Sequence, residues 1–368
     1  MSLAPFARLF YWTFAEGGLG SGRRWRICGA VLFGALAVCP AQRVAAGWRT
    51  AGRFSGQATT KDPAGKTVID ETGRSVTVPA EVKRIVTLAP DQTETIYALG
   101  LGERLAGDTD DCDTPPAAKD KPHVGNAVNP NLEAIVALHP DLVLATTSIN
   151  RAATVDALRG LGFAVYTSDP HTVRGTLESI GRVAEIAGAG AEGTKLVAQL
   201  QARLNAVHAR VADLPLVHVL FVVWEDPLIS VGQNTFIADA LRWAGGESVI
   251  LTNQNWPRVG LEEIVRLQPE FILLTGDHMR AEGAEDSDFR SRAGWKELRA
   301  VQRGHVGVIG YGVDRPSPAL IDAIEQLARV LHPEAFKDKG ENGRGKMEYR
   351  LRLHASVDMC EELNQCVR

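Results

Sequence analysis

"LEAIVALHPDLVLATT", residues 132 to 147, recurs 129 positions later as "LEEIVRLQPEFILLTG", residues 261 to 276. Eight of the sixteen paired positions are identical, and half of the others exchange apolar for apolar or acid for acid. In the first copy Leu132, Ile135, Val136 and Leu138 fall at helical spacing behind Asn131, a residue suited to cap a helix. His139-Pro140 stops that helix, because the residue before proline is driven out of the helical region. "DLVLATT" then reads as a buried strand. Each copy is thus a helix followed by a strand.

The repetition extends on both sides of this segment. "RIVTLAP" (84–90) is a short apolar strand, "DQTETIYALGLG" (91–102) a helix closed by glycine, and "RLAGDT" (104–109) a second strand. After the first copy come a helix at about 151–160 and the strand "AVYTSDP" (164–170). The second half repeats the order. "VHVLFVVWEDP" (217–227) is a strand entering a loop, "TFIADALRWAGG" (235–246) a helix, and "ESVIL" (247–251) a strand. The second copy follows, then a helix around 286–300, the strand "HVGVIGY" (305–311) and an amphipathic helix from Pro318 to Leu331.

Between the halves no strand pattern occurs. Val173, Leu177, Ile180, Val183 and Ile186 mark one helix, "GAGA" (188–191) interrupts it, and Leu196, Leu200, Leu204, Val207 and Val211 mark a second. About twenty residues at 1.5 Å each make a rod of roughly 30 Å, enough to cross between two domains. Alternating strands and helices predict an α/β fold: two Rossmann-like lobes with central, mainly parallel sheets, joined by one long α-helix. The expected domains are an export signal (1–46), a tether and β-hairpin (47–82, the hairpin in "TVIDETGRSVTV" at 67–78), an N-terminal lobe (83–171), a helical linker (172–213), a C-terminal lobe (214–335) and a tail (336–368).

The first 46 residues differ in kind from the rest. Arg23, Arg24 and Arg26 precede an apolar run from Ile27 to Val38, and small residues follow at 44–47, the layout of an export signal cleaved after Ala46. "LAVC" at 36–39 offers lipid attachment at Cys39 as the alternative, with Val38 where a small residue is usual. Loss of this segment removes five Arg and one Glu, so the formal net charge of −4 becomes −8. A mildly acidic chain without basic runs argues against nucleic acid. Of five cysteines, Cys112, Cys360 and Cys366 remain beyond the signal. Cys360 and Cys366 can pair locally, leaving Cys112 as a buried free thiol. No His-x-x-x-His or Cys-x-x-Cys pair occurs among the nine histidines and five cysteines, and His123 and His171 stand alone, so no metal site is expected.

The hairpin with "RIVTLAPDQTETIYALGLGERLAG", then "NPNLEAIVALHPDLVLA", "WPRVGLEEIVRLQPEFIL" and "DRPSPALIDAIEQLARVL" resemble, in order and spacing, the substrate-binding proteins of bacterial ABC importers for cobalamin, ferric siderophores and haem. The resemblance runs from about Thr67 to Leu331. It implies a monomer in the periplasm that captures a small molecule between its lobes and hands it to a dimeric membrane permease with its ATPase. It also implies that Glu133 and Glu262, the retained acids of the repeated segment, dock into an arginine pocket on each permease half. A two-lobed protein seated on a two-fold partner needs one anchor per lobe. Without that role, each acid is a favourable charge in the first turn of a helix.

Ligands of open parallel sheets sit at the carboxyl ends of the strands. The loops there nominate Pro90, Asp91, Asp111, Ala127, Trp224, Trp256, Tyr311, Asp314 and Arg315 as ligand contacts. Trp256 matches a tryptophan of the cobalamin-binding members, which it resembles most, whereas Asp111 and Ala127 stand where those proteins offer aromatic rings. A ferric siderophore calls for several Arg or Tyr, here chiefly Arg258, Arg315 and Tyr311. Haem calls for an axial ligand such as Tyr311. The expected cargo is therefore a cobalamin-like corrinoid, with an iron chelate or haem as alternatives, and no cofactor of the protein's own. A two-lobed α/β enzyme is the competing class, but Gly-x-Gly-x-x-Gly after a strand, a Walker loop and Gly-x-Ser-x-Gly are all missing. A binding module that signals rather than delivers is the third reading.

Overall fold

Strands of the two halves assemble into separate sheets with the same order. The computed structural model describes residues 65–275 and 293–337. The export signal, the tether to residue 64, the tail from residue 338 with Cys360 and Cys366, and residues 286–292 of the helix expected over 286–300 lie outside the described residues; in the described part of that stretch the chain turns over 293–298 and the helix begins at Arg299.

A hairpin of β1 (Lys66–Ile69) and β2 (Ser75–Val78) leads into the N-terminal lobe. That lobe holds β3 (Ile85–Thr87), β4 (Leu105–Gly107), β5 (Leu142–Thr146) and β6 (Val165–Ser168), all parallel in the order β4-β3-β5-β6. The C-terminal lobe holds β7 (Val217–Glu225), β9 (Gly246–Ser248), β10 (Phe271–Thr275) and β11 (Val306–Ile309), parallel in the matching order β9-β7-β10-β11. One strand departs from the match: β8 (Leu228–Ser230) folds back antiparallel on the end of β7. The reading of "VHVLFVVWEDP" let the strand pass into a loop here, since three residues after a proline carry no periodicity of their own. "ESVIL" is shorter than expected, because Ser248 Oγ accepts from Ile250 N and the chain turns away after Ser248.

Why these strands read as unbroken apolar runs is visible in their alternation. Ile85, Leu142 and Leu144 enter the core on one face of the N-terminal sheet, Val86, Val143 and Ala145 the core on the other. In the other lobe Val219, Phe221 and Leu273 face one core and Leu220, Val222, Ile272 and Leu274 the other. A strand covered on both faces has no polar side to show. The covering helices are α1 (Pro90–Ala98), α2 (Leu132–Ala137) and α3 (Ala152–Gly160) in the first lobe, and α6 (Phe236–Trp243), α7 (Leu261–Leu267), α8 (Arg299–Arg303) and α9 (Ala319–Leu331) in the second.

The bridge is a pair of helices, α4 (Val173–Ile186) and α5 (Gly190–Val211). Both touch both lobes. Val173, Leu177 and Ile180 of α4 belong to the C-terminal core, and Val183, Ala184 and Ile186 to the N-terminal one. In α5 the change runs the other way, from Leu196 against both cores to Leu200, Leu204 and Val207 in the C-terminal one. Gly188, at φ 74°, makes the reversal between them. Gly193 lets the two helices meet: a Cβ there would lie 2.2 Å from Ala184 Cβ.

The hairpin is tied to the first lobe through Asp70, whose Oδ1 accepts from Thr72 N, Thr72 Oγ1 and Arg74 N, while Oδ2 pairs with Arg159 at 2.6 Å. Its side chain is fully buried. Asp70→Ala leaves Arg159 half-buried without its carboxylate and frees the turn, so we expect a loss of about 3 kcal/mol in urea unfolding with an unchanged slope. A loss under about 0.5 kcal/mol, the size of an ordinary surface change, would rule out this anchor.

Candidate functional site between the lobes

The repeated segment builds the same corner in each lobe. Asn131 caps α2 as expected, its side chain accepting from Glu133 N at 3.0 Å and Ala134 N at 3.1 Å. His139 and Gln268, equivalent residues before Pro140 and Pro269, both end their helices in the left-handed region, at φ 45° and 48°. Glu133 and Glu262 occupy the first turns of α2 and α7 and both are exposed. Neighbouring Glu263 reaches Arg266 at 3.9 Å. The two acids are therefore presented by matching elements, one per lobe.

The carboxyl ends of the strands sort the nominated ligand contacts into three groups. Pro90, Asp91 and Ala127 are buried inside the N-terminal lobe, Asp91 at 3% exposure and Ala127 at 0%. Their side chains are structural here. Pro90 starts α1, and Asp91 Oδ2 accepts from Gln92 Nε2, which also donates to Ser168 Oγ. Burial lifts the Asp91 carboxyl to about 7, and the neighbouring charge of Glu94 pushes in the same direction. Ala127 N donates to Asp111 Oδ2 at 3.0 Å, and its carbonyl accepts from Asn150 Nδ2. Asp111 itself is half-buried. In the loop beside it, Asp108 is buried against His123 Nδ1 at 2.7 Å, and burial raises its carboxyl to about 6. Cys112 is buried and free as expected, its thiol pushed up to about 11 by desolvation and so unreactive at neutral pH.

The second group lies on the C-terminal lobe. Trp224 and Trp256 are both half-buried. Trp224 pairs with Ile229 across β7 and β8, and Ile229 pairs in turn with Arg258. Residues paired across neighbouring strands project on one face, so Trp224, Ile229 and Arg258 make a strip of indole, aliphatic and guanidinium. Trp224 Nε1 donates to Asp226 O at 2.7 Å, which holds the ring. Trp256 packs on the C-terminal core from the loop just before Arg258. The sequence placed Arg258 only among the loop cations. Its alignment with Trp224 depends on β8, which sequence reading missed.

The third group follows β11. Tyr311 and Asp314 bound a short 3-10 turn. Arg315 comes next, only 13% exposed, with Nη1 2.8 Å from Glu94 Oε1 and 3.6 Å from Asp113 Oδ1 on the opposite lobe. Ser317 Oγ donates to Glu94 Oε2. The guanidinium is thus engaged by the N-terminal lobe. Glu94 went unmarked in the sequence because an acid in the first turns of a helix is ordinary.

Two hollows are lined by other residues. One of about 670 Å³ is lined by His218, Glu247, Leu251, Glu270, Arg299 and Arg303 at the amino ends of the C-terminal strands. Another, of about 450 Å³, lies among His171, Gln233, Asn234, Arg242 and Asn255, beside the entry to α4. Among the described residues no group of three His, Cys, Asp or Glu is arranged to hold a metal ion, and no helix is long and apolar enough to cross a membrane.

Two like α/β lobes on a helical bridge, with loops facing each other from the strand ends, define a class of solute-capturing proteins. The model of the periplasmic binding protein family matches residues 85–311, from β3 to the end of the C-terminal sheet. This chain belongs to that family and is a substrate-binding protein of the ABC importer class. It is 32% identical over 285 residues to the uncharacterised ABC transporter substrate-binding lipoprotein YvrC of Bacillus subtilis, covering 74% of this chain and 87% of that one. The solved periplasmic vitamin B12 binding protein BtuF of Vibrio cholerae superposes with a TM-score of 0.61 at 28% identity, over 70% of this chain and 99% of that one. The periplasmic haem-binding protein BhuT, solved with two haems, gives a TM-score of 0.63 at 25% identity over 69% and 98%.

Proposed function

We propose that this protein is exported to the periplasm, captures a cobalamin-like corrinoid between its lobes and delivers it to the permease of an ABC importer, docking through Glu133 and Glu262. The observation that carries the choice of ligand is the pairing of Arg315 with Glu94 at 2.8 Å. It withdraws one of the few cations that the described strand-end loops bring to the cleft and leaves Arg258 beside Trp224. Asp113 stands 3.6 Å from Arg315, and Asp111 and Asp314 are half-buried in the loops after β4 and β11. An anionic ferric chelate is recognised by several arginines, as charge-assisted hydrogen bonds require. A corrin ring fringed with neutral amides asks instead for flat apolar contact and a few hydrogen bonds, which the indoles of Trp224 and Trp256 supply. The similarity to a vitamin B12 binding protein over 99% of that protein's length supports the same reading. Haem is the second reading, favoured by the equal likeness to BhuT.

Purified protein is to be melted with cyanocobalamin, haemin or a ferric catecholate, each at a hundred times the dissociation constant found by titration. Binding at that excess adds about 2.7 kcal/mol of stability. We expect cyanocobalamin to raise the melting temperature and Trp256→Ala to weaken its binding at least tenfold. A rise with haemin and none with cyanocobalamin would replace the corrinoid by haem.

A further inference from the structure

Among the described residues the chain passes between the lobes three times. Residues 169–172 run from β6 to the start of α4, α4 returns to the N-terminal core, and α5 goes back. Beside this covalent bridge lies a polar tie. Glu94 on α1 is 8% exposed, and both of its carboxylate oxygens are used by the other lobe. Oε1 takes Arg315 Nη1 at 2.8 Å, and Oε2 takes the hydroxyl of Ser317, itself fully buried. Ser317 Oγ also accepts from Ala319 N at 3.1 Å, which fixes it to the start of α9. Asp113 stands 3.6 Å from the same arginine nitrogen. Thus α1, α9 and the loops after β4 and β11 converge on one ion pair, and the same two helices pack on the bridge, α1 on α4 and α9 on α5.

We infer that Glu94, Arg315 and Ser317 form a pin that sets the angle between the lobes. Glu94 and Arg315 are then positioning residues of the cleft and not ligand contacts. The inference rests on the solute-binding reading for its purpose, while the pin itself is independent of the cargo. An apolar contact at this place would let the lobes slide, since packing between smooth surfaces tolerates shear. A carboxylate gripped at both oxygens does not: a shift of about 1 Å takes both hydrogen bonds out of range. Burial makes the tie insensitive to salt. Truncating either side chain breaks the direct ion pair in a buried place, leaving Arg315 with Asp113 at 3.6 Å or Glu94 with Ser317, each a looser link between the lobes.

The pin is tested by distance measurement between spin labels at Arg151→Cys and Arg303→Cys, exposed positions on opposite lobes. The full chain is used with Cys28, Cys39, Cys360 and Cys366 changed to Ser; Cys112, being buried, is left in place. Without added ligand, the parent should give one narrow distance distribution. Glu94→Gln and Arg315→Gln should each at least double its width, Ser317→Ala and Arg315→Lys less so, and cyanocobalamin should dissociate about tenfold faster from the broadened variants. If Glu94→Gln does not fold, the folded Arg315→Lys and Ser317→Ala variants decide the matter: widths equal to the parent's overturn the pin. Broadened distances in a protein that binds no cyanocobalamin uphold the pin and reject the corrinoid.

Discussion

Uptake of the cargo should fall by about three orders of magnitude in Glu133→Ala/Glu262→Ala, with the dissociation constant of the cargo unchanged. Both carboxylates are exposed in the first turns of α2 and α7, so neither is needed to hold its helix. Truncating one charge of an interfacial pair costs about 2 kcal/mol or more, close to thirtyfold in affinity. The two acids belong to separate lobes and, among the described residues, share no side-chain partner, so their losses add. Each single variant should need about thirtyfold more binding protein to half-saturate transport. Glu263→Ala serves as the control, since Glu263 reaches Arg266 on its own helix and an exposed pair of that kind is worth under about 1 kcal/mol. The measurement is uptake of labelled cargo by vesicles carrying the cognate permease. Normal uptake by the double variant would remove the docking role and leave both acids as first-turn charges.

The same two acids show how far the sequence could be read. Repetition of a sixteen-residue segment announced two lobes, and the alternating order of strands and helices announced parallel sheets. Both follow from local pattern: strands buried on both faces cannot alternate, and helices between them must. Even the left-handed turns at His139 and Gln268 lie within the repeated words, each before a proline. What escaped was created by long-range pairing. β8 exists because Leu228–Ser230 meets the end of β7, and three residues cannot declare a partner in advance. Glu94 and Arg315 lie 221 positions apart, so nothing near either one reveals the other, and Arg315 read alone looked like a hand for a ligand. Pro90, Asp91 and Ala127 were nominated because their loops reach the cleft. Loop position does not say which way a side chain turns, and these three are buried.

Asp91→Asn should stabilise the protein at neutral and alkaline pH and leave it nearly unchanged in acid. Buried Asp91 holds its proton up to about 7, chiefly through desolvation, whereas in the unfolded chain an aspartate titrates near 4, an order-of-magnitude reference. Below pH 4 the carboxyl is protonated in both states and the group takes nothing from stability. Between pH 4 and 7 the unfolded chain gives up the proton and the folded protein keeps it, so stability falls as pH rises. Above pH 7 the folded form must carry a buried charge next to Glu94, and the loss has reached its full extent. Each tenfold difference in proton affinity is worth about 1.4 kcal/mol, so that extent is on the order of a few kcal/mol. Asparagine keeps an oxygen to accept from Gln92 Nε2 and has no proton to lose. Urea unfolding of both proteins from pH 4 to pH 8 isolates the residue, because all other titrating groups are common to the pair. The two curves should meet near pH 4 and diverge toward pH 8, with the variant above. Parallel curves across that range would mean that Asp91 is ionised in the folded protein at neutral pH. The negative charge beside Glu94 would then already be part of the setting in which Arg315 holds the lobes together.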